Sequence, residues 1–107
     1  MSVTFKDFSK LDIRVGRVLS SERVPGKDKL FKLNVDLGSS KVEIIAGGGE
    51  YYKPEDLVGI NLIIVANLEP KIIAGIESRG MALAADHNGK PIWLTVPDDI
   101  PPGTKVR

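Results

Sequence analysis

Leu11-Asp12-Ile13-Arg14-Val15-Gly16-Arg17-Val18 is the stretch from which the fold can be read. Leu11, Ile13 and Val15 alternate with Asp12 and Arg14, the period-two pattern of a half-buried strand. Beyond Gly16 the apolar residues fall on even positions, at Val18 and Val24. A glycine at such a change of phase predicts a bend or bulge. A long, sharply curved first strand is what a small barrel needs in order to close. Just upstream, Phe5, Phe8 and Leu11 stand at helical spacing, enough for a short lead-in turn.

Downstream, Val24-Pro25-Gly26-Lys27-Asp28 reads as a turn. Phe31, Leu33, Val35 and Leu37 then alternate with Lys32, Asn34 and Asp36. Gly38-Ser39-Ser40 turns the chain into Lys41–Ala46, where Val42, Ile44 and Ala46 share a face. Gly47-Gly48-Gly49 ends this three-stranded meander. Lys53-Pro54-Glu55-Asp56-Leu57 predicts a short helix, with proline in the first turn and acids near its positive end. Ile60–Ala66 is a nearly continuous apolar run, expected to be a strand buried on both faces. A loop over Glu69–Gly75, a strand near Arg79–Ala85, the turn Asp86-His87-Asn88-Gly89 and a short strand Ile92–Val96 complete the chain. Three strands, a short helix and two strands are the element order of the five-stranded OB-fold, a Greek-key barrel. The fold expected is therefore all-β: an OB barrel with a short helix between strands 3 and 4 and a C-terminal extension. Its expected core positions are Ile13, Val15, Leu33, Val35, Val42, Ile44, Leu62 and Ile64.

A chain of 107 residues, 42% hydrophobic and 27% charged, suits one domain spanning residues 1–107. No apolar run approaches the roughly 20 residues that cross a membrane, and the N-terminus lacks a signal pattern, so the cytoplasm is the expected location. Without cysteine there is no disulfide and no thiolate metal site. The formal charge is +1, but residues 1–32 carry eight Lys/Arg against four Asp/Glu, and residues 33–107 carry seven against ten. Such asymmetry either marks a local basic face for an anionic partner or has no functional meaning.

No nucleophile, base and orienting group assemble in this sequence, so no catalytic residue, cofactor or metal site is expected. His87, the single histidine, belongs to a turn. Gly47-Gly48-Gly49 lacks the Lys-Ser/Thr ending of a phosphate loop and reads as a loop that lets backbone pass closely. Asp98-Asp99 reads as solvated. Tyr51-Tyr52 is read as packing of the helix on the barrel, with stacking on bases as the other reading. Trp93 is read as a core or dimer-interface anchor.

Taken in order, several motifs resemble a known family. Leu11–Val18 is similar to the opening signature of the tRNA-binding domain found at the end of many methionyl-tRNA synthetases. That domain also occurs as a separate small protein and in the tRNA-binding cofactors of eukaryotic synthetase complexes. Pro25 with Asp28-Lys29-Leu30, Val35-Asp36-Leu37-Gly38 and Tyr51-Tyr52-Lys53-Pro54-Glu55 follow the same pattern. The most specific stretch is Val65-Ala66-Asn67-Leu68-Glu69-Pro70 leading into Gly75-Ile76-Glu77-Ser78-Arg79-Gly80-Met81. The resemblance runs from about Phe8 to Arg107.

The resemblance implies a non-catalytic, homodimeric OB module that binds tRNA by shape, an accessory (beta) subunit of methionyl-tRNA synthetase. Carried over by position, Ser78 and Met81 belong to the RNA-facing surface, with Asn67 and Lys29 beside them. Ser78 and Asn67 offer hydrogen bonds to phosphate, 2′-hydroxyl or base edges, Met81 an adaptable apolar contact, and Lys29 charge for phosphate. Lys27, Lys71 and Arg79 complete the expected RNA-binding set. The alternative for Ser78 and Asn67 is that their side chains cap loop backbone. The sequence also departs from the family. Ile72 and Ala74 stand where basic residues are usual, Val24 replaces a histidine, Gly26-Lys27 an Asn-Ala pair, and Ala46-Gly47-Gly48 a Ser-Gly-Leu run. Two missing cations would weaken phosphate binding by about ten-fold or more at moderate salt. A small dimeric chaperone of secreted proteins shares the fold and the opening Phe-x-x-Leu-Asp-Ile-Arg segment, and supplies the alternative function.

Overall fold

β1, Ile13–Val24, is twelve residues of extended chain through the middle of a computed structural model that describes residues 1–107. It pairs antiparallel with β2 (Lys27–Asp36) on one side and β4 (Asn61–Val65) on the other. β3 (Lys41–Ala46) follows β2, and the chain then crosses to β4. Two short hairpins come next, β5 (Lys71–Ile73) with β6 (Ile76–Ser78) and β8 (Ala84–His87) with β9 (Lys90–Trp93). Between them β7 (Met81–Ala82) joins β4, and later β10 (Thr95–Val96) and β11 (Lys105–Val106) join β4 and β1. The architecture is all-β and mostly antiparallel, with the pairing path β10-β4-β1-β2-β3. One four-residue helix, α1 (Phe5–Phe8), lies upstream, its first turn capped by Thr4 accepting the Asp7 N–H. The helix expected over 53–57 is only a 3₁₀ turn, Pro54–Asp56.

Strand pairing does not run round a closed ring. β3 is an edge of the path, and its open side meets the β6–β7 segment through two hydrogen bonds only. The Arg79 N–H donates to the Glu43 carbonyl at 2.9 Å, and the Ile45 N–H donates to Ser78 Oγ at 3.0 Å.

Gly16 carries no bulge against β4. Ile13–Arg17 pair in unbroken register with Val65–Asn61. The apparent change of phase arises because β1 is covered on both faces. Ile13 and Val15 pack with Ile63 and Val65, whereas Val18 packs with Leu33, Val35, Leu62 and Ile64. Gly16 is required by close packing, since a Cβ there would lie 2.6 Å from Val35 Cγ1 and 2.7 Å from Ile64 Cγ1. The bulge itself falls at Leu19, where pairing steps from Val18↔Val35 to Ser20↔Asn34.

Seven of the eight expected core residues are buried, and Val42 is half-buried against the same cluster. The larger cluster, which includes Phe31, Leu33, Val35, Ile44, Leu62 and Ile64, fills the space enclosed by the strands. The smaller one lies on the opposite face of β1 and β4 and is covered by Leu83, Val96, Ile100 and Val106. The C-terminal extension therefore packs on its own chain. Trp93 likewise packs on the larger cluster, 6.4 Å from the Tyr52 ring, while Ile92 and Leu94 remain exposed. The extension thus has an intramolecular reason to exist and does not by itself call for a second subunit.

Three arginines of the basic N-terminal third hold this arrangement together. Arg17 donates to Asn61 Oδ1 at 3.0 Å and to the Asp98 carbonyl at 2.7 Å. Fully buried Asn61 donates in turn to the carbonyls of Pro97 and Ile100. Arg14 donates to the Gly103 carbonyl and pairs with Asp12, which also receives Lys105. These hydrogen bonds, Lys105 first and Arg14 second, hold the Asp12 carboxyl below its ordinary value of 3.8. Arg23 donates to the carbonyls of Asp28, Gly49 and Tyr52. Much of the sequence's basic bias is thus spent on carbonyl oxygens and does not form an open cationic face.

Candidate nucleic-acid interface

The Ser78-Arg79-Gly80-Met81 segment bridges the edges of β3 and β4. Ser78 is 4% exposed, and its hydroxyl takes the Ile45 N–H that a neighbouring strand would otherwise take. At Gly80, φ is +106° and a Cβ would come within 2.9 Å of the Val65 carbonyl oxygen, so only glycine passes there. With Ser78 tied to β3 and Met81 paired to Val65, the intervening geometry turns Arg79 into solvent and leaves Met81 47% exposed. The serine is therefore a support and not an exposed donor.

Asn67 is committed in the same way. Its Oδ1 accepts the Asp12 N–H at 2.8 Å and its Nδ2 donates to the Lys10 carbonyl at 2.7 Å, fixing the entry of β1 against the end of β4. For Ser78 and Asn67 the capping alternative describes the geometry.

The remaining expected residues form two groups. Lys27 and Lys29 stand at the tip of the β1–β2 hairpin, beside the Gly49-Glu50 loop. Lys71 and Arg79 belong to the β5–β6 hairpin and its exit, with Lys71 opposite Ser78. Two of the four cations already have acidic partners: Lys29 Nζ is 3.7 Å from Glu50, and Arg79 Nη2 is 2.6 Å from Glu77. Ile72 is 66% exposed and directly opposite Glu77 in the hairpin register. Ala74, at φ +51°, and Gly75, at φ +79°, make the two-residue turn.

Sequence reasoning missed two cations. An open hollow of about 570 Å³ lies between β3 and the β5–β6 hairpin and is lined by Lys32, Lys41, Glu43, Glu77 and Arg79 among others. Lys32 alternates with buried Phe31 and Leu33, so its outward direction was legible, but its position beside Arg79 depends on how the hairpin folds over β3. Glu22, hydrogen-bonded to Lys32 at 2.8 Å, raises the lysine's pKa, with Glu43 adding a smaller attraction. Lys27, Lys41 and Lys71 have no ion-pair partner. No group of three or more His, Asp or Glu converges as metal ligands, and no helix is long and apolar enough to cross a membrane.

The site is thus two separate loop tips that carry cations, with an exposed methionine following the second. Residues 13–105 match the family described as "Putative tRNA binding domain", and the chain belongs to that family. Methionine--tRNA ligase of Thermotoga maritima is 49% identical over 105 residues, which are 98% of this chain but 17% of that protein. The corresponding ligase of Methanothrix thermoacetophila is 50% identical over 98% of the chain and 16% of its own length. The chain thus spans about a sixth of these relatives. Among solved structures, a methionyl-tRNA-synthetase-related protein from Pyrococcus horikoshii superposes with a TM-score of 0.95 at 35% identity, covering 100% of this chain and 99% of that one. The chaperone CsaA of Bacillus anthracis gives 0.89 at 31% identity, covering 100% of both.

Proposed function

We propose that this chain is a non-catalytic module that binds tRNA by shape and backbone charge and assists a methionyl-tRNA synthetase as an accessory subunit in the cytoplasm. The family match over residues 13–105 is the observation that carries the reading. In this reading residues 1–107 act as one OB barrel, closed between β3 and the β6–β7 segment by the Ser78 and Arg79 hydrogen bonds instead of a full ladder. The contact face comprises Lys27, Lys29, Lys71, Arg79 and Met81, with Lys32 and Lys41 added, while Ser78 and Asn67 position it from behind. Phosphates take the cations, and Met81 packs on an unstacked base. A homodimer is part of the reading, and exposed Ile92 and Leu94 give it an apolar surface.

Fluorescence anisotropy with tRNA over a salt series tests the function. If about three to five phosphates are neutralised, log K falls against log salt with a slope of roughly −2 to −4. Ile72→Lys with Ala74→Arg restores the family's charges and is expected to tighten binding and steepen that slope. Absence of binding at low salt by both the natural and the restored protein would refute the reading.

The second reading, a protein-binding chaperone, is favoured by the similarity to CsaA and by the exposed Ile72. It predicts capture of unfolded polypeptide with little salt dependence.

A further inference from the structure

Between Gly47-Gly48, which follow β3, and the β8–β9 hairpin lies a cleft of about 270 Å³, lined by Gly47, Gly48, Ala84, Asp86, Gly89 and Pro91 among others. Three glycines and two alanines among its lining residues leave Asp86 and Pro91 as its larger side chains. A Cβ on Gly48, where φ is +102°, would sit 3.1 Å from Pro91 Cγ and 3.4 Å from Trp93 Cζ2, so the strand end packs directly on the hairpin. The volume falls just below the roughly 300–1,000 Å³ of sites for drug-sized ligands, which suits a single planar ring system.

β8 carries an unpaired edge. The Leu94 N–H donates to the Leu83 carbonyl, and bonded and non-bonded pairs alternate along an antiparallel ladder. With Ala84↔Trp93 and Asp86↔Pro91 in register, the peptide groups of Ala84 and Asp86 turn away from β9. Pro91, having no N–H, is suited to a non-bonded position. Since β8 has β9 as its one partner strand, each of these two residues presents an N–H donor beside a C=O acceptor with no strand opposite. The same two residues line the cleft. Adjacent donor and acceptor groups are what the edge of a nucleobase pairs with.

Two neighbouring features say what enters. Tyr51 is 47% exposed, and its hydroxyl lies 4.0 Å from the position of a Cβ on Gly89, which places an aromatic side chain at the rim. The Gly49 N–H donates to the Lys29 carbonyl at 3.1 Å, and Glu50 faces the Lys29 ammonium, so the residues that directly follow Gly47-Gly48 lie against the cationic hairpin tip.

We propose that this cleft is a subsite for one unstacked base of the bound RNA. Tyr51 supplies a stacking wall, Ala84 and Asp86 read the base edge through their main chain, and Lys27 and Lys29 hold the adjoining phosphate. The subsite rests on the RNA-binding reading above and adds a place where one base is held by stacking and main-chain hydrogen bonds.

Uncharged nucleosides test it apart from phosphate binding. In amide NMR spectra, adenosine, cytidine, guanosine and uridine are each titrated to millimolar concentration. At least one is expected to shift the Gly47, Gly48, Ala84 and Asp86 amides. Gly47→Leu obstructs the cleft at a position where φ is not left-handed and a Cβ meets nothing within 4 Å, so folding is retained. Unchanged emission of Trp93, the single tryptophan, verifies that. The variant is expected to abolish the nucleoside shifts and to weaken tRNA about five-fold or more with an unchanged salt slope, because the lost contact is stacking. Tyr51→Ala is expected to act in the same direction. The subsite is overturned if no nucleoside moves these amides, if an extended peptide moves them instead, or if Gly47→Leu leaves tRNA affinity intact. Nucleoside shifts without any tRNA binding would retain the cleft and overturn the tRNA reading alone.

Discussion

Ser78, itself 4% exposed, accepts the Ile45 N–H at 3.0 Å through the one oxygen that Ser78→Ala removes. Alanine fits the site sterically, so the effect comes from a buried backbone donor left without an acceptor. Orphaning such a group costs about 1–3 kcal/mol. For a domain near this size each kcal/mol lowers Tm by about 4–8 °C. Hydrogen exchange at the Ile45 amide is expected to accelerate, because the open edge of β3 loses its plug. Loosening at Ser78 also frees the anchored end of the Arg79–Met81 segment. Binding of tRNA should therefore weaken about as much as the segment's order is lost, with the salt slope unchanged since no cation is removed. Thermal denaturation, exchange at Ile45 and anisotropy with tRNA are read on the same protein. If Tm and Ile45 exchange stay at their natural values while tRNA affinity drops ten-fold, the hydroxyl contacts RNA directly and the supporting role is wrong.

Three further outcomes follow from other contacts. Glu77→Gln releases Arg79 from its 2.6 Å partner and is expected to tighten tRNA binding about two- to five-fold at low salt, an effect of surface-pair size that fades as salt rises; unchanged or weaker binding would count against Arg79 as a contact. Asn61→Ala strips the Pro97 and Ile100 carbonyls and Arg17 of their shared partner, so a loss of about 2 kcal/mol or more is expected, with faster proteolysis between Val96 and Ile100; a Tm within a degree of the natural value would contradict this anchoring of the C-terminal extension. Asp12 has a folded pKa below its ordinary 3.8, so its stabilising contribution is present above that value and lost as pH falls through the folded one. The Tm difference between the natural protein and Asp12→Asn should be constant near neutral pH and shrink below 3.8; a difference that grows on acidification would reverse the sign.

Local pattern carried the strands. Period-two alternation placed Leu33 and Val35 inward, Pro25-Gly26 and Asn88-Gly89 marked their hairpins, and the continuous run around Leu62–Ile64 announced a strand covered on both faces. These features depend on residues within a few positions of one another, which is why composition and spacing alone reach them. The same alternation misled about a bulge at Gly16, because a strand packed on two cores shows apolar residues at both odd and even positions and imitates one.

What only the tertiary structure decided are the partners of polar side chains. Arg14 reaches a carbonyl 89 residues away, Asn67 one that is 57 residues away, and Ser78 an amide 33 residues away. No window of sequence contains both halves of such a bond, so a serine that supports a loop and a serine that faces a ligand read alike. Charge follows the same logic. Eight cations in the first 32 residues suggested a basic face, yet folding spends three of them on carbonyl oxygens and gathers Lys32, Lys41 and Arg79 from three separate segments around one hollow. Sequence determines which groups carry charge and which strands form, whereas the crossing of those strands determines which charges meet water, because satisfying buried carbonyls takes precedence over exposing a cation.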